Sequence, residues 1–207
     1  MKTTGHAPAL TGAKISFLAV AAGLYLFGMA WAQGTKSANQ SLEAPHADQA
    51  GVEAFRDVAS VLLSPRCVNC HVPGNAPLQG EDGRLHNMNV KRAGDGRGTV
   101  AMRCTNCHQV TNSPVLHGPP GAPDWHLPPA STPMAWRGLS TGDLCRALKD
   151  PGKNGNRSVA DLIDHMNTDL VKWAWSPGPG RTVPLMSYDE FISKLIEWKN
   201  DEAPCAP

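Results

Sequence analysis

The chain has no excess of charge of either sign. Its 207 residues carry 19 Lys and Arg against 18 Asp and Glu, a formal net charge of +1. Nothing global therefore argues for a nucleic-acid backbone or an anionic membrane surface as partner. No strand of convincing length can be read anywhere, which speaks against an all-β architecture. Cysteine is sparse, at 6 residues, and four of these fall into two tight clusters. Long apolar runs are absent except for one, Ile15 to Ala30, near the N-terminus.

That run has the layout of an export signal. Lys2 and Lys14 give a positive start, and Ala30-Trp31-Ala32 offers an A-x-A cleavage site with Gln33 as the first mature residue. The competing reading is an uncleaved anchor, since Ile15 to Ala32 is just long enough to span a bilayer. Either way the remainder is expected outside the cytoplasm, in the periplasm. Removing residues 1–32 takes two lysines, so 17 basic side chains then face 18 acidic ones.

What the chain does have is Cys67-Val-Asn-Cys70-His71 and Cys104-Thr-Asn-Cys107-His108. The C-x-x-C-H spacing is that of covalent haem attachment. Two thiols add to the haem vinyl groups, and the adjacent histidine then lies under the iron as proximal ligand. About 0.007 copies are expected by chance from this composition, so two copies point to two c-type haems. A zinc site or a redox dithiol would use the cysteines but leave both adjacent histidines unexplained.

The motifs start only 37 residues apart, whereas a domain of ordinary size needs on the order of 100 residues. One domain enclosing both haems is expected over residues 51–207, after a flexible polar segment at 33–50. The 18 prolines and 20 glycines require much irregular backbone. The expected fold is mostly α, with long Pro/Gly-rich loops, in a single compact dihaem cytochrome c-like domain. Val52, Phe55, Val58, Ala59 and Leu62 repeat at helical spacing and predict a helix ending near Ser64-Pro65. Ser140-x-x-Asp143, Ser158-x-x-Asp161 and Ser187-x-x-Glu190 predict three helix starts, the last as the full capping box. Their apolar faces are Leu144, Ala147 and Leu148; Leu162, Ile163 and Met166; and Phe191, Ile192, Leu195 and Ile196.

Electron-transfer haems take a second axial ligand from His or Met. The other histidines after the leader are His46, His86, His117, His126 and His165. His86, 15 residues after His71, is the first choice for the first haem, with Met88 as its rival. His126 follows the second motif by a similar interval and is the choice for the second haem, with Met134 and His165 as alternatives. Cys145 and Cys205 remain, and in an oxidising compartment two spare cysteines are expected to pair. Lys91, Arg92, Arg97 and Arg103 could bind haem propionates, dock an acidic partner, or simply form a solvated loop. Trp125, Trp136, Trp173, Trp175 and Trp198 are expected to pack against haem faces and the core.

Ser64-Pro-Arg-Cys-Val-Asn-Cys-His71, Met102-Arg-Cys-Thr-Asn-Cys-His108, Trp125-His-Leu-Pro-Pro129, Leu148-Lys-Asp-Pro151 and Ala203-Pro-Cys205 together resemble short periplasmic dihaem c-type cytochromes. More narrowly, they resemble a proteobacterial group labelled as an isoquinoline 1-oxidoreductase-type cytochrome subunit. The resemblance covers roughly residues 50 to 207. It implies single-electron transfer with a redox protein partner, such as a molybdenum hydroxylase or another periplasmic dehydrogenase. The chain carries no sign of the hydroxylase's own iron–sulfur or molybdopterin machinery. The rival functions are a dihaem peroxidase or oxidase with one open haem iron, and a haem-based sensor.

Overall fold

The computed structural model describes residues 47–207. The expected leader at 1–32, residues 33–46 and His46 lie outside the described residues. Among the described residues no helix is long and apolar enough to cross a membrane.

Helix dominates the regular structure. Helix α1 (Ala47–Leu62) begins inside the segment read from sequence as polar N-terminus and ends just before Ser64-Pro65. Its Ala54, Phe55, Val58, Ala59, Val61 and Leu62 are buried. Pro65 restarts the chain as the short helix α2 (Pro65–Val68), in which Pro occupies a first-turn position that needs no N–H.

The C-terminal third supplies α3 (Thr141–Lys149), α4 (Pro151–Asn154), α5 (Val159–Met166), α6 (Asp169–Lys172) and α7 (Tyr188–Asn200). Helix α7 packs along α1, with Phe55 and Trp198 ring centres 4.6 Å apart. Phe191, Leu195 and Trp198 recur at i, i+4 and i+7 and form the buried stripe. Ile196, expected on that face, is 43% exposed because it lies off the stripe. Leu144, Cys145, Leu148, Leu162 and Met166 complete the core from α3 and α5.

Each expected cap forms, but not with the expected ranking. The reciprocal capping box is at Ser158 and Asp161, where the Ser158 N–H donates to Asp161 Oδ2 at 2.8 Å. At Ser187 only half of it forms: the hydroxyl accepts from the Glu190 N–H at 3.2 Å. The shorter aspartate reaches back to the cap where the glutamate does not.

Two contacts tie the tail to the first helix and to α3. The Gly51 N–H donates to Asp201 Oδ2 at 2.8 Å, and a Cβ at position 51 would collide with that carboxylate and with the Pro204 ring. Cys145 and Cys205 are joined in a disulfide with a Cα–Cα distance of 5.6 Å, as the two spare cysteines led us to expect.

Between the helical parts, regular structure shrinks to two hairpins of two-residue strands and two short 3-10 helices, Asn87–Asn89 and Cys104–Asn106. Strand β1 (Leu78–Gln79) pairs with β2 (Arg84–Leu85), and β3 (Gly98–Thr99) pairs with β4 (Met102–Arg103), both antiparallel. The rest is loop fixed by backbone hydrogen bonds. Leu127 N–H donates to Gly96 C=O at 2.9 Å, and Ala130 N–H to Gly94 C=O at 3.2 Å. These bonds lay the segment carrying His126 across the loop between the motifs. Only glycine fits at position 96, where φ is 77° and a Cβ would run into the Leu127 carbonyl.

Candidate functional site

Both C-x-x-C-H segments fold into the same turn. In the first, the N–H groups of Cys70 and His71 both donate to Cys67 C=O, each at 3.1 Å. In the second, those of Cys107 and His108 donate to Cys104 C=O at 3.2 and 2.9 Å. One carbonyl thus gathers each turn. All four motif cysteines are free thiols, while Cys145 and Cys205 are oxidised.

The histidine rings carry the clearest signal. His71 Nδ1 donates to Met134 C=O at 3.0 Å, and His108 Nδ1 donates to Pro120 C=O at 2.8 Å. A carbonyl can only accept, so the proton sits on Nδ1 and the Nε2 lone pair is left bare. His86 repeats this arrangement with Asn87 C=O at 2.8 Å, and His126 repeats it with Asp124 C=O. An orienting hydrogen bond on the far nitrogen is what a metal-ligating imidazole requires. Three of these anchors lie at or beside residues in the left-handed region: Met134 with φ 45°, Asp124 with φ 58°, and Met88 with φ 61° next to Asn87. Such conformations cost energy in non-glycine residues and gather at functional sites.

Two tryptophans fix the proximal rings. Trp136 stacks on His71 at 3.5 Å between ring centres, and Trp125 stacks on His108 at 4.5 Å, each with planes 2° apart. The sequence singled out both tryptophans, but it carried no sign that they would stack on His71 and His108.

The structure brings His86 near His108 and His126 onto a cavity with His71, where sequence spacing suggested the first motif for His86 and the second for His126. His86 lies by the second motif, its ring centre 6.0 Å from that of His108. His126 instead lines a cavity of about 320 Å³ together with Cys67, Cys70 and His71. The reason is the loop route. His86 follows strand β2, and the bonds of Leu127 to Gly96 and Ala130 to Gly94 hold the segment that carries His126.

His165, on α5, lines the same cavity, but no hydrogen bond orients its ring among the described residues. Met134 also lines it; its carbonyl accepts from His71 Nδ1, and its thioether Sδ accepts from Arg157 Nη1 at 4.0 Å. Met88 is 69% exposed. His117 is exposed and packs against Gly180.

The two motifs differ in environment. Burial pushes the Cys67 thiol up to about 12 and the Cys70 thiol up to about 11. Burial also drives His71 down to about 3, which keeps its imidazole neutral. Cys104 adds a like-charge penalty to Cys70, so the two motifs are neighbours in space. The second motif is more open: Cys107 is exposed, and His108 is lowered by burial only in part offset by its bond to Pro120.

The expected basic stretch does not form a cationic patch. Arg97 pairs with Asp124, Arg103 pairs with Asp95 at 2.8 Å, and Lys91 is exposed. Arg92 is 1% exposed, and its Nη2 donates to Val72 C=O at 3.0 Å and Cys70 C=O at 3.5 Å. Nothing in its sequence context distinguishes it from the solvated arginines beside it.

The donor set suits two covalently held haems. Each motif presents two free thiols and a neutral, oriented imidazole, with a second oriented imidazole nearby. At the first motif the cavity would receive the macrocycle. At the second, Leu85, Met88 and Val110, flanking His86 and His108, are at least 67% exposed and would be covered by it. Among the described residues, no group of three or more His, Cys, Asp and Glu side chains converges as a bare metal-ion site would. No protein-family model, curated protein or solved structure matches this chain.

Proposed function

We propose that this protein is an exported dihaem c-type cytochrome that passes single electrons between redox partners. One observation carries the reading. Two C-x-x-C-H turns each present an imidazole with a bare Nε2, and two further histidines are oriented in the same way nearby. Bound haem would supply a one-electron iron couple at each motif.

In this reading Cys67 and Cys70 would hold the first haem, with His71 and His126 as the residues that would bind its iron. Cys104 and Cys107 would hold the second, with His108 and His86. Met134, Pro120, Asp124 and Asn87 keep each imidazole in the ligating tautomer through their carbonyls. Trp136 and Trp125 prevent the proximal rings from turning. Two axial ligands fixed in advance mean little rearrangement when an electron arrives, which suits a carrier. The resemblance to periplasmic dihaem cytochromes supports a periplasmic location. It also supports a redox protein partner, such as a molybdenum hydroxylase or another periplasmic dehydrogenase.

A second reading rests on His165. It shares the cavity with His126 and His71 and has no orienting bond among the described residues, so it could act as a distal base at an open iron, as a peroxidase or oxidase needs. Optical spectra of the exported protein in both oxidation states separate the two. Two low-spin, six-coordinate haems support the carrier. A high-spin component that binds cyanide or reacts with peroxide supports the enzyme.

A further inference from the structure

We propose that the haem on His71 is the higher-potential centre of the two, and that the buried guanidinium of Arg92 is the residue that sets it there. The proposal rests on the dihaem reading above and deepens it by assigning an order to the two centres.

Arg92 is clamped against the first motif itself, with its Nη2 on the carbonyls of Val72 and Cys70, the residues on either side of His71. Its Nε has no partner, and no carboxylate pairs with it among the described residues. The cavity beside His71 adds to the same field, since Arg66 and Arg157 line it and no carboxylate does. Arg66 has one counter-charge, Glu81 at 2.6 Å, whose side chain is 42% exposed. Around the second motif, Asp95 neutralises Arg103; Asp124, paired with Arg97, also lies 3.5 Å from His126 Nδ1, so the first centre has this carboxylate beside His126, and Arg92 is the uncompensated charge on its His71 side. Arg181 is the cation felt by His108, and Cys107 opens that motif to solvent.

The sign follows from charge. Accepting one electron from an external one-electron reductant removes one unit of positive charge from the centre. A fixed buried cation close by, in surroundings that screen poorly, favours the reduced form. Burial of the first motif acts in the same direction. Electrons therefore enter at the open second centre and settle on the first.

The test is a spectroelectrochemical titration of the exported holoprotein, with dithionite as reductant and ferricyanide as oxidant. Wild type is compared with Arg92→Gln and Arg92→Lys. His86→Ala removes a ligand candidate of the second centre and marks which wave belongs to it. The unmarked wave should be the higher one. Arg92→Gln should lower it, the reduced-to-oxidised ratio at a fixed potential falling about tenfold, which is 59 mV for a one-electron couple. Arg92→Lys should restore it, which a purely structural role for the guanidinium would not produce. If Arg92→Gln does not accumulate, Arg157→Gln, on the cavity wall, should shift the same wave in the same direction. A marked wave that is the higher one, equal shifts of both waves, or no shift would each overturn the proposal. A protein with no haem wave at all would overturn the dihaem reading instead.

Discussion

Opening the Cys145–Cys205 bond should destabilise the protein severely without disturbing the haem sites. The bond closes a loop of sequence separation 60, and in the chain-entropy model such a loop removes about 4 kcal/mol of unfolded-state freedom. The folded tail has other holds. Trp198 Nε1 donates to Pro204 C=O at 2.9 Å, Lys149 Nζ to Ala203 C=O at 2.6 Å, and Arg146 Nη1 to Ala206 C=O at 2.8 Å. Native geometry therefore survives the loss of the bond, and the cost appears almost entirely through the unfolded chain. Haem thioethers at the two motifs would not substitute, because each pair of cysteines spans a single turn. For a domain of this size each kcal/mol moves the melting temperature by about 2–4 °C, so Cys205→Ser should melt about 8–16 °C lower. Far-UV circular dichroism on heating reads the loss, with the Soret band reporting haem content. Wild type melted in reductant should approach the variant. A variant that melts within about 2 °C of wild type, with its haem spectrum intact, would refute the reasoning.

Two other perturbations follow. His86→Ala and His126→Ala should each convert one haem from low to high spin, while His165→Ala leaves both low-spin. A high-spin signal in His165→Ala, with none in His126→Ala, would exchange their roles. Glu81→Ala should cost on the order of 1–3 kcal/mol in urea denaturation, because it leaves Arg66 buried without its acceptor. Burial pushes the Glu81 carboxyl up, but the Thr182 bonds and the Arg66 guanidinium more than offset it and hold it below its ordinary value. Its contribution is therefore complete above the ordinary glutamate range and is lost as pH falls through the lowered folded value. The urea midpoint of wild type should drop on acidification more than that of Glu81→Ala.

Local features were the legible ones. The spacing of Phe55, Val58, Ala59 and Leu62 located α1, and the Ser-x-x-acid patterns located α3, α5 and α7. Both depend on neighbours within one or two turns. The pairing of Cys145 with Cys205 could be read because few cysteines were left over. Through-space matters were hidden. Similar spacing along the chain suggested His86 for the first motif and His126 for the second, whereas the folded loops place His86 near His108 and His126 on the cavity of His71. The carbonyls of Met134 and Pro120 belong to residues whose side chains give no clue to the role. Asn154, wholly buried and tying Leu148 C=O to the Arg157 backbone, looked like any polar turn residue. Arg92 looked solvated because its neighbours are.

The central claim is that two haems are bound covalently, one through each motif. Intact-mass spectrometry of the protein exported from cells with an active c-type maturation system tests it directly. The account predicts a chain heavier by two haems, falling to one haem when Cys67 and Cys70, or Cys104 and Cys107, are replaced by alanine. An unmodified mass, or a single haem on the wild-type chain, would contradict it.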